Sequence, residues 1–273
     1  MRRFLLTVLC LTGLMGIAFP AGAAPAQGDD KWALIIGVDH HRGSTRSNVG
    51  AVGDANAFRT LLTQNGWRED RMRVLTDAGA TQAAIRQGLQ WIVDNCGPSS
   101  YCVVHYSGHT KQMNNAGGSE GLHEYLWPHD NQFISDTEFA DYMRRLRGYA
   151  WIDIAACEAA GFDHGIASPR RLFTAASQEH EKGYENPGWR TSIWTGLVVE
   201  RGILRGQADL NSDGNVSLNE AILWATEQAP KYTTGQSHGA QHPYRAGGEE
   251  TAFFEPQSTA APRARTCFLI FCS

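Results

Sequence analysis

Short, continuously apolar runs alternate along this chain with longer segments whose apolar residues recur every three or four positions. Trp32–Val38 (WALIIGV) reads as a buried strand. Ala51–Asn65 follows as a helix, with Ala55, Phe58, Leu61 and Leu62 at helical spacing and Gly66 as its stop. Arg71–Leu75 predicts a short strand. Thr81–Asn95 predicts a second helix, with Ile85, Leu89, Ile92 and Val93 on one face. Tyr101–Thr110 (YCVVHYSGHT) opens as another buried strand and closes on small polar residues and a histidine. Lys111–Gly121 predicts a loop, and His123–Trp127 a short strand before Pro128. Ser135 predicts the start of a helix to about Arg147, with Glu138 completing a capping box. Tyr149–Cys157 (YAWIDIAAC) and Arg171–Ser177 read as strands, and Gln178–Gly188 as a polar loop, solvated by default, whose Glu179, Glu181 and Glu185 could line a groove. Thr191–Arg205 and Ser217–Gln228 read as helices.

Strands that alternate with helices predict an α/β fold: a mostly parallel central sheet with helices on both faces. Ligands of such sheets bind at the carboxyl ends of the strands. Two strands here deliver reactive side chains at that end, His109 and Cys157. Far apart in sequence, they can meet in space. A histidine that takes a cysteine's proton makes a thiolate nucleophile. Backbone N–H groups of Gly108, Thr110 and Cys157 stand where they can serve an oxyanion. A buried thiol and a structural histidine are the plain alternative. His105, inside its strand, reads as a core histidine.

The ends of the chain set its compartment. Arg2 and Arg3 precede an apolar run from Phe4 to Phe19, and Ala21-Gly22-Ala23 follows. Residues 1–23 therefore read as a secretory signal peptide, and the protein as secreted or periplasmic, with no stable membrane span. Residues 31–248 read as the folded domain. Residues 255–273 read as a Pro-, Ala- and Ser-rich tail ending in CFLIFC. The net charge of −4 gives no basic signature for nucleic acid, and loss of Arg2 and Arg3 with the signal deepens it to −6.

Export gives the cysteines meaning. Five remain after the signal. Local pairing of Cys96 with Cys102, and of Cys267 with Cys272, would leave Cys157 as a lone thiol. Sequence does not fix that connectivity, and five reduced, buried thiols are the alternative.

Asp209–Glu220 (DLNSDGNVSLNE) carries a second chemistry. Asp209, Asn211 and Asp213 hold positions one, three and five of a calcium-binding EF-hand-like loop. Gly214 is at six, Asn215 at seven, Ser217 at nine and Glu220 at twelve. Oxygen-only ligands favour Ca²⁺. A structural role is expected, since an exported protein meets steady calcium.

The elements ALIIGVDHHRG, NVGAVGDANAF, HYSGH, LWPHDNQFISDTEF and WIDIAACEAAGF together resemble, in that order, the caspase-like peptidases, bacterial metacaspase-like members above all. The resemblance spans roughly Trp32 to Gly247. It implies the caspase–hemoglobinase fold, His109 as general base, Cys157 as nucleophile and a peptide or protein substrate. It also implies an acidic pocket for a basic substrate side chain. Asp54 matches one acidic position of that pocket, whereas Ala155 stands where the other carboxylate would be. Thr110 stands where glycine is common. The expectation is a secreted cysteine endopeptidase, cleaving after basic residues, with one calcium site. The rival is a catalytically silent calcium-dependent binding protein on the same fold.

Overall fold

The computed structural model describes residues 30–114, 121–251 and 253. The proposed signal peptide, the tail and the Cys267–Cys272 pair lie outside the described residues. A six-stranded sheet forms the centre. It is built from β1 (Lys31–Gly37), β2 (Met72–Thr76), β3 (Tyr101–Ser107), β7 (Tyr149–Ala155), β8 (Arg171–Ala175) and β11 (Tyr244–Ala246), in the order β11-β8-β7-β3-β1-β2. All neighbours pair in parallel except β11, which runs antiparallel to β8 at the edge. The strands β1, β3 and β7 sit inside the sheet with helices above and below, so their apolar runs are continuous rather than alternating.

Helix α1 (Ala51–Gln64) packs on one face with two C-terminal helical stretches. The first starts as α4 (Ile193–Thr195) and runs on with wider π pairing over Gly196–Leu204; the second is α5 (Leu218–Thr233). On the other face, α2 (Gln82–Asn95) and α3 (Asp136–Arg144) cover Leu34, Ile36, Val104, Ile152 and Ile154. Alternate side chains of each strand thus feed the two cores. A disulfide joins Cys96, at the end of α2, to Cys102 in β3, with a Cα–Cα distance of 6.1 Å.

Three local expectations differ. Part of the expected loop from Lys111 is a strand, β4 (Thr110–Asn114). It forms a small antiparallel sheet with β5 (Leu122–Leu126) and β6 (Ile134–Ser135). Ser135 does cap α3, accepting from the Glu138 N–H at 3.1 Å, but the Glu138 carboxylate pairs with Arg86 instead of closing a capping box. The helix expected from Thr191 begins two residues later, because Thr191–Ser192 forms a short strand, β10, against β9 (Glu185–Asn186).

His105 belongs to the core. Its Nδ1 lies 2.8 Å from Asp153 Oδ2, and its ring stacks on Phe58. Asp153 also accepts from Thr174 at 2.5 Å and from the Trp194 indole at 2.8 Å. A buried carboxylate needs such donors to hold its place.

Candidate active site

The parallel register sets Ser107 of β3 beside Ala155 of β7, so both strands end at one level. Two residues beyond each end stand His109 and Cys157. Both line one cleft of about 380 Å³, together with Gly108, Ala155, Ala176, Ser192 and the segment Arg46–Val49. Gly108 makes the bend possible: its φ is +156°, and a Cβ there would come within 3.0 Å of the Tyr106 hydroxyl. That hydroxyl donates to the His109 carbonyl at 2.6 Å and accepts from the Trp127 N–H at 3.1 Å, tying the histidine's backbone to the small sheet.

His109 Nε2 is 2.7 Å from the Arg46 carbonyl. A carbonyl can only accept, so Nε2 carries the proton and Nδ1 keeps the lone pair. This is the tautomer a general base needs. The loop that presents Arg46 is held on several sides. Asp77 Oδ1 accepts from the N–H groups of Asp39 and His40 at 2.9 and 2.8 Å, and Asn48 donates to the Val38 carbonyl at 3.0 Å. The His41 ring lies 5.3 Å from that of His109, and burial pushes its pKa down. An orienting group for the histidine was invisible in sequence because it is a backbone oxygen.

Cys157 is a free thiol. Burial pushes its pKa up, and the charge of Glu158 adds to that, which favours the thiol over the thiolate. The Sγ–H faces the Gly183 carbonyl at 3.7 Å. Glu158 turns the chain sharply after the nucleophile, with a left-handed φ of 48°. Its buried carboxylate pairs with Lys182 and receives the Thr110 hydroxyl at 3.3 Å. The Thr110 hydroxyl also bonds the Cys157 carbonyl at 2.8 Å. Thr110 therefore braces the nucleophile from behind and does not line the cleft, while Gly108 and Cys157 bring their backbone to it.

Asp54, in the first turn of α1, is not on the cleft surface either. It is fully buried, accepting from the Ser107 hydroxyl at 2.7 Å and from the Ser192 N–H at 2.8 Å. Burial pushes its carboxyl up to about 8. Ser107 and Ser192 stand between it and the cleft, as part of the floor.

Asp209–Glu220 forms an exposed turn. Asp209 accepts from the N–H groups of Asp213 and Gly214 at 3.1 and 3.0 Å. Glu220 forms a capping box with Ser217 at the start of α5 and accepts from the Asn211 N–H at 3.3 Å. The side chains of Asn211, Asp213, Ser217 and Glu220, with Asn215, surround one hollow, and this oxygen donor set fits a hard cation. Its carboxylates do not all come within 4.8 Å of one another. Glu124, Asp136 and His164 do converge to that degree. There Asp136 already accepts from the N–H groups of Glu124 and Thr137 at 2.9 and 2.5 Å, with His164 Nε2 at 3.0 Å. Among the described residues no helix is long and apolar enough to cross a membrane.

Comparison with known proteins gives one consistent result. A sequence profile of the caspase domain matches residues 30–247. Metacaspase-3 of Arabidopsis thaliana is 32% identical over 216 residues, covering 63% of this chain and 57% of that protein. Metacaspase-1 of Schizosaccharomyces pombe is 32% identical over 124 residues, covering 41% of this chain and 29% of that protein. The chain thus spans little more than half of the one relative and under a third of the other. The crystal structure of a protein from Geobacter sulfurreducens superposes with a TM-score of 0.62 at 13% identity, over 84% of this chain and 97% of that one. That likeness is one of fold.

Proposed function

The chain belongs to the caspase-domain family of metacaspase-type cysteine peptidases, and we propose that it is itself a cysteine endopeptidase in which Cys157 attacks the peptide carbonyl and His109 takes the thiol proton. The observation that carries this reading is the shared cleft at the ends of two parallel-paired strands, with His109 held in the base tautomer by Arg46. The raised thiol pKa favours transfer of the proton to His109 together with attack. His109 then returns it to the leaving amine, and water releases the acyl group from sulfur in a second round. The backbone at Gly108 and Cys157 is the part of the cleft that can face the oxyanion.

The finer features belong to the same proposal: export through the signal peptide of residues 1–23, preference for a basic residue before the cleaved bond, and Ca²⁺ in the Asp209–Glu220 loop as a structural tie. Support for calcium is the oxygen donor set around one hollow and the turn already folded by Asp209. Bound there, the ion would neutralise Asp209, Asp213 and Glu220 and fix the start of α5. The test of the central reading is cleavage of a peptide library by wild type, Cys157→Ala and His109→Ala. Turnover that survives Cys157→Ala would sink it. A silent wild type whose Cys157 also resists peptide-based electrophiles would favour the non-catalytic binding protein.

A further inference from the structure

We propose that Glu185 is the residue that selects a positively charged side chain in the cleft; this rests on the reading of that cleft as a peptidase site. The starting point is a deficit. Ala155 offers no charge. Asp54 lies behind Ser107 and Ser192, with both carboxyl oxygens already engaged by them, and burial favours its neutral form. Neither can meet a substrate cation. Among the residues that line the cleft, Glu185 is the carboxylate.

Its position is built rather than accidental. Glu185 sits in β9, directly across from Ser192 in β10. Ser192 is fixed by its N–H bond to Asp54, so the buried acid acts as a positioning residue for the hairpin that carries the exposed one. Ahead of α1, the Glu185 carboxylate accepts from the Gly50 N–H at 2.8 Å and from the Val49 N–H at 3.0 Å. Those bonds hold it in one orientation. A carboxylate has about four acceptor positions, so capacity remains for a guanidinium or ammonium. The group is half-buried, and Asp39 and His109 are the ionisable side chains beside it. Arg46 also lines the cleft, but its side chain is exposed and free to turn to water. A substrate cation would give a partly desolvated carboxylate the partner it lacks, whereas a neutral side chain would not.

Capping of Val49 and Gly50 alone would also explain Glu185. Glutamine can accept from the same N–H groups, so Glu185→Gln keeps the cap and removes only the charge. The experiment measures kcat/KM for two peptides that differ only in arginine or its neutral isostere citrulline before the cleaved bond. Wild type should prefer arginine by roughly 10- to 100-fold, the range of a charge-assisted hydrogen bond. In Glu185→Gln the ratio should collapse toward one, mainly through KM. In Glu185→Asp, which retains the charge, it should persist, as it should in Asp54→Asn, whose amide oxygen can still accept from the Ser192 N–H and so keep the hairpin in place. A ratio that survives Glu185→Gln, or that falls in Asp54→Asn instead, overturns the assignment. If Glu185→Gln does not fold, loss of the ratio in Glu185→Asp overturns it equally. Equal cleavage of both peptides by wild type removes the basic preference itself. Cleavage of neither peptide, with an unreactive Cys157, removes the peptidase reading as well.

Discussion

The Nε2 of His109 and the backbone carbonyl of Arg46 are 2.7 Å apart, and this contact fixes which ring nitrogen can act as a base. No side chain does this work, so no substitution at position 46 deletes it directly. The loop's braces are the accessible handle. Asp77→Ala removes the acceptor for the Asp39 and His40 N–H groups. Displacement of a catalytic group by about 1 Å can cost on the order of 100-fold in rate. The expected outcome is a fall in kcat of about 10- to 100-fold with KM little changed, measured by steady-state kinetics. An unchanged kcat would mean that the loop holds Arg46 without Asp77.

The resting thiol gives a second expectation. Burial and the Glu158 charge both raise the Cys157 pKa, so iodoacetamide labelling without substrate should rise with pH above the inflection of a free thiol. Glu158→Gln removes the negative neighbour and should move that inflection down. His109→Ala should lower kcat by roughly 100- to 10,000-fold, the usual worth of a general base. A labelling inflection below that of free cysteine would show that His109 outweighs burial and the Glu158 charge at the thiol.

Asp54 makes stability depend on pH. Its carboxyl titrates near 3.8 in the unfolded chain and at about 8 when folded, so the folded state holds the proton longer. This contribution is fully present below pH 3.8, falls as pH rises through the window, and is spent above about 8. Asp54→Asn cannot ionise. Relative to the variant, wild type should therefore lose stability between pH 5 and 8 in urea unfolding. Parallel curves for the two proteins would show that Asp54 is charged in the fold.

Calcium should raise the melting temperature through the Asp209–Glu220 loop. A ligand that binds only the folded state stabilises it by about 2.7 kcal/mol at a hundredfold excess over Kd. Glu220→Gln removes the carboxylate at the twelfth loop position and should abolish most of the shift, with a small loss from the capping box. An equal response in both proteins, or none in wild type, would show the loop to be only a turn. A shift in melting without a change in kcat identifies a structural ion.

The interior of the fold was legible because β1, β3 and β7 are buried on both sides, and such strands must be unbroken apolar runs. The strand β4 was not, since TKQMN at the sheet's rim is half-exposed and polar and reads as loop until its partner is known. His109 and Cys157 were legible because strand ends are marked by the switch from apolar to small polar residues. The carbonyl of Arg46 carries no sequence signal at all. The sealing of Asp54 and the raised thiol pKa come from contacts with Ser107, Ser192, Glu158 and the burying chain around them. Only the assembled packing reveals those. Of the three glutamates in the Gln178–Gly188 loop, sequence could not say which reaches the groove; the pairing of β9 with β10 brings Glu185 to the cleft.

Parallel pairing has a consequence in time. Register partners along β3 and β7 are 48 residues apart, from Tyr101↔Tyr149 to Ser107↔Ala155, and a parallel connection cannot close as a local hairpin. Such pairings form late, once the entropy of closing long loops has been met. His109 and Cys157 therefore come to one cleft only once β3 and β7 have paired. The activity proposed above requires that pairing, so the first turnover after dilution from denaturant would mark the moment at which β3 and β7 lock together.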